Sequence, residues 1–456
     1  MIMKLPKRYK WWIAWGLLSV VILASLLMML TGKDRSFYLS GRLTNGHYQI
    51  GVKCATCHQH PFGGDAAIQK ACVECHQQDL KLADDSHPRT KFTDPRNADR
   101  VKALDARNCA TCHAEHAPER THDMGVTLAP DFCVSCHKDV GKDRPSHRDL
   151  AFDSCASAGC HNFHDNRALY EDFLVQHAGE TDTLAPALVP SRNNYLFRTG
   201  EIAGREPLTA REHDGPKVTP RDSDAVMKWA ASAHAKSGVN CTDCHLQKNG
   251  SPATVWTDHP GRGICTDCHQ QETDWFKQGR HGMRLAQELP PMRPELARQP
   301  MKPRTAQTEL DCNACHNPHQ TDIRRAAVES CLGCHDDEHS RAYKQSPHYT
   351  LWTREGEKSA AVDSGVSCAT CHLPRENHPE AGRQRIRVQH NANFNLRPNE
   401  KMIRGVCLQC HGLAFSIDAL ADRKLIARNF KGQPATHINS IDWALRREKP
   451  KPRPAS

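Results

Sequence analysis

Five residues, Cys54-Ala-Thr-Cys57-His58, carry the chemistry this chain is built for, because their arrangement keeps returning. Two thiols two residues apart, followed at once by an imidazole, can form two thioether bonds to a porphyrin and give its iron an axial nitrogen. That is the attachment pattern of a c-type haem. Further copies are Cys72–Cys75–His76, Cys109–Cys112–His113, Cys133–Cys136–His137, Cys241–Cys244–His245 and Cys265–Cys268–His269. Cys312–Cys315–His316, Cys331–Cys334–His335, Cys368–Cys371–His372 and Cys407–Cys410–His411 complete the regular copies. One variant has four intervening residues, Cys155-Ala-Ser-Ala-Gly-Cys160-His161. Eleven motifs use 22 cysteines and the chain contains 22, so no thiol is left for another role. A disulfide framework gives no reason for histidine after every second cysteine. Structural zinc needs its cysteine pairs in twos, which an odd number of pairs cannot all satisfy. The implied cofactor is haem c, eleven copies, each covalent.

The elements that must position these motifs are constrained by composition. Of 456 residues 38% are apolar and 6% aromatic, and mean hydropathy is −0.67. Side chains this polar bury too little surface to offset the conformational entropy of folding. Porphyrin discs fastened to the backbone supply the missing apolar surface. The expected fold is therefore mainly α-helix and irregular loop around a haem core, and the chain without haem is not expected to fold. The formal charge of +9 is outnumbered by eleven pairs of haem propionates. The surplus Lys and Arg are read as propionate partners, and nucleic acid is excluded as a ligand.

Residues 11–30 are uncharged and nearly all apolar. Twenty helical residues span about 30 Å, one hydrocarbon thickness. Lys4, Lys7, Arg8 and Lys10 precede them, which keeps the N-terminus cytoplasmic. A cleaved signal would have a shorter apolar stretch and a small-x-small cleavage site. An uncleaved transmembrane helix in the inner membrane is expected, with the bulk of the chain in the periplasm.

Motif spacing divides the rest. Residues 1–35 form the anchor and 36–178 a five-haem domain whose first cysteines lie 18, 37, 24 and 22 residues apart. From Cys155 to Cys241 the gap is 86 residues, and 179–222, rich in Pro, Gly, Arg and Asp, reads as a linker. Residues 223–415 form a six-haem domain. Residues 416–456 form a tail with helices around Ile417–Asn429 and from Ser440 to Arg447, ending in a disordered Lys/Pro run.

Each iron has a second axial position. Of 29 histidines, 11 sit in motifs and 18 remain for it. Histidine on both faces is expected, which implies low reduction potentials, since methionine ligation raises them. His116, His164 and His319 come three residues after a motif histidine and His339 four. On a helix such pairs share a face, so the second histidine must serve a neighbouring haem. His47, His147, His234 and His259 precede a motif by six to eight residues. His177 ends an apolar stripe with Leu169 and Phe173. His281, His348 and His390 complete the distal candidates. His87, His122, His378 and His437 rank after them, and His60 and His213 are expected to face solvent or propionates.

The mixed CxxCH and Cys155–Cys160 spacing over residues 45–178 resembles class III-type multihaem cytochromes c. The second half looks like the superfamily of multihaem nitrite reductases and hydroxylamine oxidoreductases. The segments that carry this are Trp229-Ala-Ala-Ser-Ala-His234 before the His245 motif, and Ser346-Pro-His348-Tyr349 before Cys368-Ala-Thr-Cys371-His372-Leu-Pro-Arg375. This resemblance implies closely packed haem pairs and raises catalysis as an alternative. Such reductases often carry lysine in place of a motif histidine, whereas all eleven motifs here end in histidine. A catalytic haem would also need an open axial face, beside which Tyr343, His348, Tyr349, Arg354 and Arg375 are the residues to inspect.

Two functions are expected from these features. The first is an electron conduit from the quinol pool, a quinol dehydrogenase or another membrane redox partner to a periplasmic or outer-membrane acceptor. The alternative is a terminal reductase of a nitrogen or sulfur oxyanion with one five-coordinate haem in the second half.

Overall fold

A computed structural model describes residues 7–31, 40–60, 63–122, 125–129, 131–144, 147–148, 161–165, 169–184, 205–217, 219–220, 222–248, 254–355, 365–380, 383–396 and 399–446. Cys155, Cys160, residues 185–204 of the stretch expected as a linker and the terminal Lys/Pro run lie outside them.

The described chain is mainly helical, with little strand. Helix α1, Lys7–Thr31, is long and apolar enough to cross a membrane, and none of its membrane-length window is buried by protein. Helix α2, Gly64–Ala83, carries the His76 motif on its surface. Most other helices are only one or two turns long. The strands form two antiparallel hairpins: β1, Leu246–Lys248, with β2, Thr254–Trp256, and β3, Arg375–Glu380, with β4, Arg383–Val388. The first pairs Leu246 with Trp256 and the second Arg375 with Val388.

The chain divides into two compact units. One comprises residues 1–76 and 106–128 and carries the first three motifs; the other comprises 77–105 and 129–456 and carries the rest. Within the larger unit the apolar side-chain core is a set of small clusters. One joins Leu169, Leu174 and Val175 to Ile403, Leu413, Ile417 and Ile441; another joins Val328, Leu332, Tyr343 and Trp352. Clusters of this size suit a chain whose largest apolar bodies are prosthetic groups.

Two helical stretches are each broken by a residue whose side chain caps the next helical turn. The helix before His234 runs as α3, Asp224–Ala231, and stops at Ser232, whose hydroxyl accepts from Ala235 N to start α4, Ala233–Lys236. The tail helix runs as α5, Leu413–Ala421, and α6, Arg423–Ala427, broken at Asp422, whose carboxylate accepts from Lys424 N and Leu425 N. Short polar side chains compete with the helix for its own backbone donors, so they interrupt a helix even where apolar periodicity continues. The last tail helix, α7, spans Ser440–Leu445.

Candidate functional site

The described attachment motifs are helical turns, mostly standing alone, with the His76 motif part of the longer helix α2. The motif histidine's N–H donates to the carbonyl of the first cysteine, at 2.9 Å in the His58 motif, 2.8 Å in the His113 and His411 motifs and 3.0 Å in the His335 motif. That turn puts cysteines i and i+3 and histidine i+4 on one face, the arrangement two thioethers and one axial nitrogen require. Side-chain caps fix several turns in place. Asn240 and Asp243 form a reciprocal capping box at the His245 motif, and Ser367 with Thr370 does the same at the His372 motif.

Opposite ten motif histidines among the described residues stands a second histidine ring. Centroids are 5.9 Å apart for His47–His76, 6.5 Å for His58–His116, 6.1 Å for His87–His137 and 6.1 Å for His147–His161. They are 6.3 Å for His234–His269, 5.8 Å for His245–His319 and 6.2 Å for His281–His335. The series ends with His316–His390 and His339–His372, both 6.2 Å, and His348–His411, 6.3 Å. An iron bound by two ring nitrogens at about 2 Å each sets those nitrogens about 4 Å apart, and the two ring radii add about 2 Å more. The observed spacings fit that geometry.

The outer ring nitrogens fit it too. A metal-bound histidine commonly donates its other N–H to a carbonyl or carboxylate, which fixes its tautomer and orientation. His47 Nδ1 donates to Glu115 Oε1 at 2.6 Å, His87 to Phe163 O at 2.5 Å and His116 to Gly41 O at 2.9 Å. His234 donates to Pro318 O at 3.0 Å, His339 to Ile426 O at 2.5 Å and His390 to Val388 O at 2.8 Å. Among motif histidines, His113 donates to Gly125 O at 3.1 Å, His245 to Thr257 O at 2.7 Å and His411 to Asp182 O at 2.9 Å. With Nδ1 so engaged, Nε2 is the nitrogen left for the facing ring in the paired histidines. At His339 it also lies 3.2 Å from Asn429 Nδ2, and His113 stands outside the ten pairs. Burial pushes His281, His316, His348 and His372 down to about 4, with the facing histidine adding to the shift. A neutral imidazole is the form that binds a metal. Burial alone would raise the Glu115 carboxyl, but hydrogen bonds from His47 and Thr44 outweigh it and hold it at about 2.

Histidines one helical step beyond a motif histidine face a different motif. His116 faces His58, His319 faces His245 and His339 faces His372. His116 adopts this with φ of +61°, a left-handed conformation that a non-glycine residue keeps only when its surroundings impose it. His87, ranked low from sequence because no helical spacing singles it out, faces His137 and stacks on Phe163 with centroids 4.2 Å apart. His164 is held by Asp85 Oδ1 at 3.1 Å and His177 by Glu180 Oε1 at 2.6 Å, without entering the ten ring pairs. His259 is exposed. His437 bonds Asp418 through Nδ1 at 2.9 Å and Asp442 through Nε2 at 3.1 Å, committing both nitrogens to carboxylates.

Within each unit, motifs that follow one another in sequence are mostly neighbours in space. In the smaller unit the Cys57 thiol is raised by burial, then by Glu115 and by Cys75 of the next motif, and the Cys72 thiol hydrogen-bonds Cys109. In the larger unit His161 is lowered by burial, then by His147 and by His137 of the preceding motif. Beyond these, Cys244 senses Cys265, Cys265 hydrogen-bonds Cys312, and Cys315 senses Cys331. Cys331 hydrogen-bonds Cys368, and Cys371 senses Cys410. The last six motifs thus form one unbroken file.

Of the residues expected beside an open catalytic face, three are engaged in core packing or ring pairing. Tyr343 is a core residue whose hydroxyl donates to Val366 O at 2.8 Å, and burial raises it well above the ordinary tyrosine range. Tyr349 packs edge-on against it at 5.3 Å, and His348 faces His411. Arg354 is exposed at the end of its helix, and Arg375 opens strand β3.

Fold and motif geometry define a chain organised around repeated Cys-x-x-Cys-His turns with facing histidine rings. The family model of cytochrome c3 matches residues 46–138 and 233–335. Cytochrome c-552 of Haemophilus influenzae strain 86-028NP is 22% identical over 231 residues, 46% of this chain and 35% of that protein. Cytochrome c-552 of the KW20 / Rd strain is 22% identical over 228 residues, again 46% and 35%. The chain spans about a third of the length of these curated relatives. No solved structure matches it. With the motif array, these similarities support a multihaem c-type cytochrome, a class that carries covalent haem c.

Proposed function

We propose that this chain is a membrane-anchored relay of single electrons, built on eleven covalent haems c and ligated by histidine on both faces of the iron in the ten paired sites. The observation that carries the reading is the unbroken file of neighbouring motifs, most of them with two facing histidines. Bound haem supplies reversible one-electron chemistry between ferric and ferrous iron. The chain's own residues do the rest. The cysteine turns fix each site, the facing histidines hold potentials low, and the Nδ1 partners keep those rings from turning. Surrounding side chains set polarity and exclude water. Helix α1 anchors the chain in the inner membrane, with its basic N-terminal flank in the cytoplasm and the motifs in the periplasm. Electrons come from quinol, through a quinol dehydrogenase or another membrane partner, and leave to a periplasmic or outer-membrane acceptor.

EPR of the oxidised protein tests this, together with the mass of the purified chain. The expected result is eleven covalent haems with low-spin ferric signals throughout the paired sites. A high-spin ferric signal perturbed by nitrite or hydroxylamine would replace the relay with a reductase. In the ten paired sites two histidine ligands would leave no position for substrate, whereas a reductase must keep one.

A further inference from the structure

Sequence order would continue the file of sites from His161 to His245. The packing of the larger unit joins the segments that flank the His147–His161 pair to the opposite end. Arg144, three residues before His147, donates to the Tyr170 hydroxyl at 2.9 Å. Next to it, Leu169 is 1% exposed and packs in one cluster with Leu413, two residues past His411, and with Ile403, four residues before Cys407. The chain then stays on that motif: Leu184 N donates to Cys410 O at 2.7 Å, and His411 Nδ1 to Asp182 O at 2.9 Å. The other described end of the same excursion is fastened to the His245 motif. Arg205 pairs with Asp243 at 2.7 Å, Asn240 donates to Glu212 O at 2.8 Å, and Thr242 N donates to Asp214 Oδ1 at 2.9 Å. The excursion therefore leaves the file at one terminus and rejoins it at the other.

We infer that in the larger unit the file continues from His161 to His411 and then runs backwards along the sequence to His245. The terminus that faces a redox partner is then the His245 site, and the C-terminal motif is an internal junction. This rests on the relay reading and gives it a direction. Each hop oxidises one ferrous site and reduces the next ferric one, with quinol as first reductant and the acceptor as last oxidant.

The test uses the full-length, fully loaded protein with a ruthenium polypyridyl photosensitiser on an engineered cysteine, Lys142→Cys, on the exposed turn after the His137 motif. On a flash the label gives one electron to a ferric site and is restored by a sacrificial amine. Two further variants each place a spectroscopic marker: His348→Met at the His411 site and His319→Met at the His245 site. Methionine ligation gives the ferric site a sulfur-to-iron band that a bis-histidine site lacks, and raises its potential so that the electron is trapped there. The expected result is bleaching of the His348→Met marker with a several-fold shorter delay than that of His319→Met. Equal or reversed delays overturn the order and leave the relay standing. A quenched label with neither marker bleaching overturns the relay and the order with it. If His348→Met fails to accumulate with eleven haems, His339→Met against His234→Met tests the same order one site further in from each end.

Discussion

His339 Nδ1 donates to the carbonyl of Ile426 at 2.5 Å, across 87 residues of sequence. The C-terminal tail therefore orients a histidine that faces the His372 motif. Just beyond, Asn429 and Phe430 take φ of +51° and +58°, and the Phe430 ring lies 6.3 Å from His339 and 6.0 Å from His348. Two successive non-glycine residues in the left-handed region persist only where their surroundings impose it; here Asn429 Nδ2 donates to His339 O at 3.2 Å and Phe430 N to Leu425 O at 2.9 Å. The tail is part of the site that precedes it in sequence.

Removing residues 422–456 is expected to leave covalent haem content unchanged and to alter the His372 site. In the oxidised protein, the low-spin EPR signal of one site should broaden or convert to high spin. His339→Ala should convert the same site. Unchanged spectra from the truncated chain would show that the Ile426 contact is dispensable.

Glu115 sits 2.6 Å from His47 Nδ1 and also accepts from Thr44 N at 3.0 Å. A carboxylate there pushes electron density into the ring and stabilises ferric iron. Glu115→Gln should raise the midpoint potential of the His76 site, on the order of 60–120 mV for a ten- to hundredfold change in relative stabilisation of the two oxidation states. Redox titration monitored by EPR reads the shift, and a fall in potential would reverse the assigned role of Glu115.

Leu413 is fully buried, between residues 169–178 and the last motif. Leu413→Ala should cost about 2–5 kcal/mol, as core leucine truncations do. Gly412 stands where any added Cβ would run into the backbone of Glu180 and Thr181. Gly412→Ala should lift that strap, costing about 1–3 kcal/mol. Calorimetry measures both, and hydrogen exchange at Leu184, whose amide donates to Cys410 O, should rise in the glycine variant.

His437 is raised above its ordinary value by hydrogen bonds to Asp418 and then Asp442. A group whose folded pKa is raised stabilises fully below its unfolded value near 6.5 and loses that contribution as pH rises through the folded one. Amide protection of helix α7 should therefore weaken on going from about pH 6 to pH 9, after correction for intrinsic exchange. His437→Gln should abolish that dependence.

The covalent chemistry was written locally. Five adjacent residues contain both thioethers, one ligand and the helical turn that aligns them, so number and placement of the motifs needed no knowledge of long-range structure. The apolar run from Trp11 to Leu30 was equally legible, because bilayer thickness selects length and composition alone. Helix ends were less so: Ser232 and Asp422 broke periodic stretches by capping, a competition between side chain and backbone that periodicity does not report. The partners of the ten paired motif histidines were decided only in three dimensions. His116 and His319 carried a hint in their helical step, but His87 and His137 lie 50 residues apart and share no local pattern. A ligand across a disc is chosen by which loop the packing brings over it, and that choice belongs to the whole fold.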